Sequence, residues 1–334
     1  MHAIRLHAFG PAENLVYEKT DDPLPGPGQV RIAVEAAGVH LLDTALREGD
    51  RGPLPALPEL PTVPGREVAG TVESLGEGTD PAWLGKRVVA HLGMVPGGYA
   101  ELAVTDAGRL HEIPAHLDAA RAVAMIGTGR TAMGILQFTE LGPDSVAVVP
   151  AAAGGIGTLL VQYAKNAGAT VVGLAGGPAK TAAVEANGAD LAVDYNLPDW
   201  PLRVREFLGE RRATVVFDSV GGEPGRAAVD LLGPGGLHLV FGWSSGGIHE
   251  GGPLTFTEEE QAARGIVSEQ VLGPVMLGKA GGDNPVRVLE TRALAEAAAG
   301  RLTPAVQRFP LAGAAAAHRA LEGRATMGKV VLVP

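Results

Sequence analysis

The chain of 334 residues contains no cysteine. This absence excludes disulfides, zinc–thiolate sites, iron–sulfur clusters and a thiol nucleophile. Long apolar runs are missing too, because no stretch reaches the roughly 20 residues of a membrane-spanning helix, and the first residues lack the apolar core of a signal peptide. We therefore expect a cytoplasmic protein whose chemistry does not use sulfur.

Charge of one sign is not concentrated anywhere in the sequence. The 37 acidic and 27 basic residues give a formal net charge of −10, but neither sign forms a long block. A nucleic-acid or anionic-membrane surface needs a basic block, so we expect a small-molecule partner instead. The length exceeds what one hydrophobic core usually organises, which predicts two domains.

The hydrophobic pattern changes near residue 117. Before it, apolar residues alternate with polar ones, as in residues 29–35, which predicts a β-rich domain of short strands. Five prolines within residues 48–65 predict an irregular loop. After it, near-continuous apolar runs alternate with helical segments, which predicts a doubly wound α/β domain around a parallel sheet. The expected parallel strands are residues 145–150, 170–174, 191–193, 214–217 and 237–241.

The last fifty residues predict a helix over 285–300, a strand near Val306, a helix over 312–321 and a strand over 329–333. Their pattern alone does not say to which domain they belong.

The segment 151–157 reads Ala-Ala-Ala-Gly-Gly-Ile-Gly, directly after a predicted strand and at the start of a predicted helix. This is the place of the dinucleotide fingerprint Gly-x-Gly-x-x-Gly, with Ala152 at its first position. A glycine at 154 lets the backbone approach a pyrophosphate, one at 157 lets helix and strand pack closely, and the helix N-terminus supplies amide donors. The predicted contacts of the dinucleotide are Ala153, Gly154, Gly155, Ile156 and Gly157.

The next strand end favours NADPH over NADH. An NAD site usually has an acidic residue about 20 residues after the motif, but residues 173–180 contain none. Small residues such as Gly176, followed by Lys180, leave room and a cation for a 2′-phosphate. Lys180 considered alone would be interpreted as an ordinary solvated lysine.

Further motifs resemble, in order and spacing, the quinone oxidoreductases of the medium-chain dehydrogenase/reductase superfamily, zeta-crystallin-like and zinc-free. The similarity covers essentially the whole chain and rests, besides the glycine motif, on residues 36–43, 63–70, 97–101, 217–221, 241–245 and 323–329. It implies a GroES-like catalytic domain (residues 1–119 and 283–334), a Rossmann NADPH-binding domain (residues 120–282), and a homodimer joined through the Rossmann sheets.

The resemblance also implies roles for individual residues. It places three of them around the 2′-phosphate, namely Lys180, Tyr195 and Arg324. It places others along the rest of the cofactor, namely Ser219, Phe241, Gly242 and Ser244, with Thr131 near the nicotinamide. Arg324 could also, or at the same time, stabilise a helix C-terminus.

The positions that bind catalytic zinc in metal-dependent relatives read here as His40, Arg66 and Thr128. Only one of them could bind a metal, and a guanidinium would repel it, so we expect no metal. Without a metal to polarise a carbonyl, the best hydride acceptors are quinones and conjugated enones, which delocalise the incoming charge.

The candidate catalytic residues are His40, Asp43 and Thr131. His40 stands where these enzymes usually carry asparagine, and it could donate a proton or hydrogen bond to the acceptor, or only bond the cofactor ribose or nearby backbone. Asp43 is expected to play a supporting structural role. No tyrosine donor occurs in residues 47–53, and Arg47 and Arg51 could attract an anionic acceptor or be ordinary solvated loop arginines.

Three alternatives to a quinone or enone reductase remain open. One is an enoyl (thioester) reductase of natural-product metabolism, which would share fold and cofactor. Another is a non-catalytic NADPH-binding protein. A zinc alcohol dehydrogenase is the third.

Overall fold

The computed structural model describes residues 1–52, 54–246 and 251–334. Within them the strands are β1 (His2–Leu6), β2 (Leu15–Lys19), β3 (Gln29–Gly38), β4 (Glu67–Leu75), β5 (Arg87–His91), β6 (Leu102–Asp106), β7 (His111–Glu112), β8 (Val146–Val149), β9 (Thr170–Ala175), β10 (Leu191–Asp194), β11 (Ala213–Asp218), β12 (Leu232–Val240), β13 (Val267–Gln270), β14 (Val306–Pro310) and β15 (Lys329–Val333).

The α-helices of the same described residues are α1 (Leu41–Glu48), α2 (Ala119–Ala124), α3 (Arg130–Leu136), α4 (Gly155–Asn166), α5 (Pro178–Ala186), α6 (Trp200–Leu208), α7 (Gly222–Val229), α8 (Glu258–Arg264), α9 (Pro274–Ala280), α10 (Pro285–Ala298) and α11 (Ala314–Glu322). A π-helical turn, Met125–Gly129, follows α2. In the part of the chain that the structure describes, no helix is long and apolar enough to cross a bilayer.

The chain divides into two compact units. Unit 1 comprises Met1–Thr128 and Pro304–Pro334, and unit 2 comprises Gly129–Thr303. These divisions differ from the predicted ones after residues 119 and 282. The difference arises because α2 packs on β3 and β4 of unit 1, whereas α10 packs on α3 and α9 of unit 2.

Unit 1 is built on a sheet of order β14-β15-β3-β4-β5-β7, with β6 also paired to β3. The alternation in β3 orients Val30, Ile32 and Val34 into the core, where each is at least nine-tenths buried. Strand β15 pairs with β3 through Val331 and Leu332, so the C-terminal segment returns to this unit. The described residues between Glu48 and Glu67 form no helix and only one isolated bridge, at Thr62, as the prolines predict; Pro53 lies outside the described residues.

Unit 2 contains a parallel sheet of order β10-β9-β8-β11-β12-β13. This order, 3-2-1-4-5-6 in sequence numbering, is that of the Rossmann fold, and the predicted fold class is confirmed. The five predicted strands lie where the apolar runs placed them, within a few residues at their ends. The sixth strand, β13, was not predicted because its sequence Val-Ser-Glu-Gln is polar and largely exposed at the sheet edge.

Candidate active site

The glycine turn of unit 2 joins the end of β8 to the start of α4, at the point where the strand order reverses. Gly154 is the N-cap of α4 and has extended backbone angles, and no side chain of the described residues caps the helix there. A Cβ on Gly157 would lie 2.4 Å from the carbonyl oxygen of Ala151 and 2.7 Å from Cα of Ala152. Only glycine permits this close packing, and the first turn of α4 presents its amide donors without a side chain over them.

The other predicted cofactor residues of unit 2 lie at the carboxyl edge of its sheet, because parallel strands end on the same side. They follow β9 (Gly176), β10 (Tyr195), β11 (Ser219) and β12 (Phe241, Gly242, Ser244). The Ser244 hydroxyl donates to the Ser219 carbonyl at 3.2 Å, and a Cβ on Gly242 would lie 2.6 Å from the same oxygen. Ser219, Gly242 and Ser244 are therefore brought together at one loop pair.

The remaining predicted residues belong to four different places. Lys180 lies in the first turn of α5 and Thr131 in α3, both in unit 2. Arg324 lies in unit 1, just after α11, with a left-handed φ of 54°. His40 and Asp43 lie in unit 1 at the start of α1.

His40 belongs to a buried cluster of charged groups, which we call the Glu67 cluster: His40, Glu67 and Lys329. The His40 Nε2 lies 2.6 Å from Oε1 of Glu67, and the Lys329 Nζ lies 2.9 Å from Oε2 of Glu67 and 3.1 Å from His40 Nε2. One ring nitrogen cannot donate to the carboxylate and also accept from the ammonium. The shorter contact favours a protonated Nε2 facing Glu67, since a bare lone pair would repel the carboxylate.

Two glycines make room for the carboxylate of Glu67. A Cβ on Gly38 would lie 2.3 Å from Oε2 of Glu67, and a Cβ on Gly127 would lie 1.5 Å from Oε1. Gly127 belongs to the π-helical turn after α2, a distortion that is frequent at functional sites. The space that the Glu67 carboxylate occupies thus depends on the absence of side chains at two positions that are remote in sequence.

The charge state of Glu67 follows from its neighbours. Complete burial opposes ionisation, but the charges of His40 and Lys329 outweigh it and hold the pKa of the Glu67 carboxyl well below its ordinary value of 4.5. Glu67 is therefore a carboxylate at neutral pH.

Asp43 anchors a second set of buried polar groups. The His40 backbone N–H donates to Oδ2 of Asp43 at 2.8 Å, and the His40 ring faces the Asp43 N–H in a capping box. The Tyr99 hydroxyl donates to the same Oδ2 at 3.0 Å and lies 3.2 Å from Nε2 of His318. Because the hydroxyl has one proton, His318 must donate to it from Nε2. Asp43 thus holds the His40 amide and the Tyr99 hydroxyl in place, and its supporting role in the reaction stays a prediction.

Burial determines the protonation of this set. Burial, followed by the Asp43 carboxylate, raises the pKa of the Tyr99 hydroxyl well above 10. Burial lowers the pKa of His318 to about 4 from 6.5, and Arg47 acts in the same direction while Asp43 opposes it. Both groups are therefore neutral at pH 7.

Two arginines lie near Asp43, namely Arg47, which is close in sequence, and Arg66, which is close in space. They differ in their partners. Arg47 is fully buried in α1, donates to the Gly10 carbonyl at 2.9 Å, and pairs with Glu48 and Glu322. It is thus not a solvated loop arginine. Arg66 is also buried, but its nearest carboxylate oxygen, Asp43 Oδ1, lies 3.7 Å from its Nε.

The positions of the zinc ligands in metal-dependent relatives contain His40, Arg66 and the buried Thr128. Within the described ranges, no group of three or more His, Cys, Asp or Glu side chains could hold a metal ion. The ammonium of Lys329 lies against His40 and Glu67, the two groups here that could otherwise have contributed ligands.

Sequence reasoning missed Glu67, Lys329, Tyr99 and His318. A signal existed for Glu67, which follows the Gly65-Arg66 pair at the position of the zinc motif. His318 in an alanine-rich helix and Lys329 at the start of an apolar strand were also unusual, but nothing in the sequence pairs them with residues more than 200 positions away.

The Glu67 cluster makes a prediction about stability. Lys329→Met leaves a buried carboxylate without its ammonium, so we expect the free energy of unfolding to fall by about 3 kcal/mol. The double variant Glu67→Gln/Lys329→Met should recover part of this loss, which denaturant titration would show. Lys86→Met is the control, because its pair with Glu112 is exposed and should change stability by under about 0.5 kcal/mol. Additive losses in the double variant would contradict the cluster.

His318 makes a prediction about pH. Its folded pKa lies below the unfolded value, so its contribution is complete above pH 6.5 and is lost as pH falls toward 4. Between pH 7 and pH 5, His318→Leu should lose about 2 kcal/mol less of its free energy of unfolding than wild type. His116→Leu, at an exposed histidine, is the matched control and should keep the wild-type dependence. Equal pH dependence in wild type and His318→Leu would show that His318 titrates normally.

Comparison with protein families gives two matches. The model described as "Alcohol dehydrogenase GroES-like domain" matches residues 26–115, within unit 1, and the model described as "Zinc-binding dehydrogenase" matches residues 155–269, within unit 2.

Comparison with curated proteins gives relatives along the whole chain. A 2-haloacrylate reductase of Burkholderia is 32% identical over 335 residues, 98% of each chain. A quinone oxidoreductase of Pseudomonas aeruginosa is 32% identical over 337 residues, 99% of each chain.

Solved structures agree with these relatives. The Escherichia coli quinone oxidoreductase in complex with NADPH has a TM-score of 0.82 and 27% identity, with 100% of both chains covered. A protein described as an NAD-dependent alcohol dehydrogenase has a TM-score of 0.85 and 28% identity, so the fold alone does not choose the cofactor. The full-length identity to the curated relatives does decide the family: this chain is an oxidoreductase of the quinone oxidoreductase family within the medium-chain dehydrogenases/reductases.

Proposed function

We propose that this chain transfers a hydride from NADPH to a quinone or a conjugated enone without a metal. The observation that carries the proposal is the carboxyl edge of the unit 2 sheet, where an uncapped glycine turn lies beside a strand end that has no acid. The family membership supports it, since the Escherichia coli relative forms a complex with NADPH.

The residues at this edge fit a dinucleotide phosphate. The amides at the start of α4 suit a pyrophosphate, because the helix dipole and the amide donors both favour an anion. From the end of β9 to Lys180 the chain reads Ala-Gly-Gly-Pro-Ala-Lys, so no carboxylate would repel a 2′-phosphate and one cation lies within the first turn of α5. We infer that unit 2 is the NADPH-binding domain and unit 1 the catalytic domain.

The residues that would hold NADPH are those that the sequence predicts: Thr131, Ala153, Gly154, Gly155, Ile156, Gly157, Gly176, Lys180, Tyr195, Ser219, Phe241, Gly242, Ser244 and Arg324. When bound, NADPH supplies the hydride. The protein supplies orientation, exclusion of water and stabilisation of the charge that develops on the acceptor.

The contacts of His40 favour hydrogen bonding to neighbouring groups over proton donation to the acceptor. Its Nε2 faces Glu67 and Lys329, and its ring also faces the Asp43 N–H. A histidine engaged on both sides does not have a proton to give without breaking the Glu67 cluster. We therefore propose that His40 and Asp43 shape the catalytic surface of unit 1 and that solvent supplies the proton.

A second acceptor class has specific support. The relative named 2-haloacrylate reductase acts, by its name, on an activated unsaturated acid, which is closer to an enoyl reductase than to a quinone reductase. An enoyl (thioester) acceptor is the alternative to a quinone or simple enone, and turnover with a panel of acceptors separates the two.

We also propose that the protein works in the cytoplasm, since a chain without cysteine needs no oxidising compartment. We further propose that it forms a homodimer. Among the described residues, β13 pairs only with β12, and its Val267 is half exposed, so this edge suits pairing with a second copy. Sedimentation equilibrium should then give twice the mass of the 34.1 kDa chain. A monomer at micromolar concentration would reject this assembly.

The cofactor proposal predicts the behaviour of Lys180→Ala. Loss of the cation should raise KM for NADPH by about tenfold or more, because a charged hydrogen bond to phosphate contributes about 1.5–3 kcal/mol. KM for NADH should not change. Loss of the nicotinamide absorbance, with a quinone or enone as acceptor, measures both.

The control is Lys19→Ala, an exposed lysine of unit 1, which should leave both KM values at wild-type levels. A wild-type preference for NADH, or an unchanged KM for NADPH in Lys180→Ala, would reject the 2′-phosphate assignment.

A further inference from the structure

Unit 1 contains a pocket of about 150 Å³, which we call the Arg66 pocket. Its wall is mostly apolar, formed by Leu46, Leu54, Leu57 and Met94 among others, with a few polar groups that include Asp43 and Arg66. An apolar pocket with few polar groups is the usual form of a small-molecule site, because the polar groups fix the orientation of the ligand.

The charge of Arg66 has few partners. Its side chain is 10% exposed, and its buried Nε has no hydrogen-bond partner among the described residues. The nearest carboxylate is that of Asp43, at 3.7 Å from Nε, which is too long for a hydrogen bond. The Oδ2 of Asp43 is already used by His40 and Tyr99. A buried nitrogen without an acceptor is rare enough in native structures to call for an explanation.

Arg47 lines the same pocket but has closer ion-pair partners than Arg66. It donates to the Gly10 carbonyl and pairs with Glu48 and Glu322, so two carboxylates offset its charge, although its Nη1 also has no hydrogen-bond partner among the described residues. Of these two pocket arginines, Arg66 is the one that can serve an anion from outside. The planar fork of a guanidinium matches a carboxylate with two parallel hydrogen bonds.

The volume suits a small anion. A cavity of about 150 Å³ holds a molecule the size of benzene, with roughly six non-hydrogen atoms. An acrylate with one small substituent has this size.

We infer that the Arg66 pocket binds the carboxylate of a short 2-enoic acid and that Arg66 is the specificity-determining residue of the reaction. This inference rests on the proposed function. The hydride of NADPH forms a bond to the β-carbon, the C=C π bond breaks, and a proton from water adds to the α-carbon. The products are NADP⁺ and the saturated acid.

The cation has a further effect on the reaction itself. A carboxylate is a poor hydride acceptor, because the added electron pair creates a second negative charge conjugated with the first. A buried guanidinium beside the carboxylate offsets that charge as it develops. The methyl ester of the same acid develops only one negative charge during hydride addition, so its reduction depends less on Arg66.

The test compares acrylate with methyl acrylate and 1,4-benzoquinone as acceptors, each with NADPH. Arg66→Gln should lower kcat/KM for acrylate by roughly 100-fold, the cost of removing one partner of a buried charged pair. It should change kcat/KM for both neutral acceptors by less than about threefold. Arg66→Lys, which keeps the charge but loses the fork, should fall between wild type and Arg66→Gln. Arg121→Gln, at an exposed arginine of the same unit, is the matched control.

Three outcomes would overturn the inference. In the first, wild type reduces the neutral acceptors but not acrylate. In the second, Arg66→Gln loses the same factor in kcat/KM for all three acceptors. In the third, Arg66→Gln has the same kcat/KM values as wild type. The first outcome would leave the proposed function intact.

If no acceptor is reduced, the proposed function fails. A binding measurement then tests the inference by itself. Titration calorimetry of propanoate into the protein without NADPH should show binding to wild type and at least a tenfold weaker affinity in Arg66→Gln. Equal affinities, or no binding to wild type, would overturn the inference independently of turnover. The melting temperature of Arg66→Gln shows whether the variant is folded.

Discussion

The carboxylate of Glu67 is the constraint on which the arrangement of unit 1 depends. It lies on β4 and is held by Lys329 from β15 and by His40 at the start of α1. Gly38 at the end of β3 and Gly127 after α2 leave the space that it needs. Several segments far apart in sequence therefore meet at one pair of oxygens, and a misplacement of any of them would leave a charge buried without a partner.

The two units meet different chemical demands by different means. At the turn after β8, unit 2 presents backbone amides, glycines and the start of a helix, so this part of its carboxyl edge is shaped by the absence of side chains. Unit 1 carries several of its charged groups in the core, where most of them face a group of opposite charge. Arg66 is less closely paired than Arg47, because its nearest carboxylate oxygen lies 3.7 Å from its Nε.

Much of unit 2 could be predicted from the sequence, because buried parallel strands and the turn after β8 leave local patterns. Strand β13 could not, since its polar residues lie at an edge and carry no apolar run. In unit 1, the period of β3 was readable, but the contacts of His40 were not, because Lys329 reaches it only through the pairing of β15 with β3. Arg47 illustrates the same limit: its proximity to the proline-rich loop suggested exposure, and only tertiary structure shows Glu322 beside it.

The position of Lys329 has a consequence for the order in which the protein assembles during synthesis. Strand β15 leaves the ribosome after the other described strands, whereas β3 and β4, to which Lys329 brings its charge, are synthesised long before it. Unit 2 lies between them and can complete its sheet from contiguous sequence while the first part of unit 1 still lacks the ammonium of Lys329. Domains tend to fold as units in the order of their synthesis, so here the enclosed unit is complete before the one that surrounds it in sequence. A nascent chain can therefore complete the parallel sheet of unit 2 before the sheet of unit 1 receives β15.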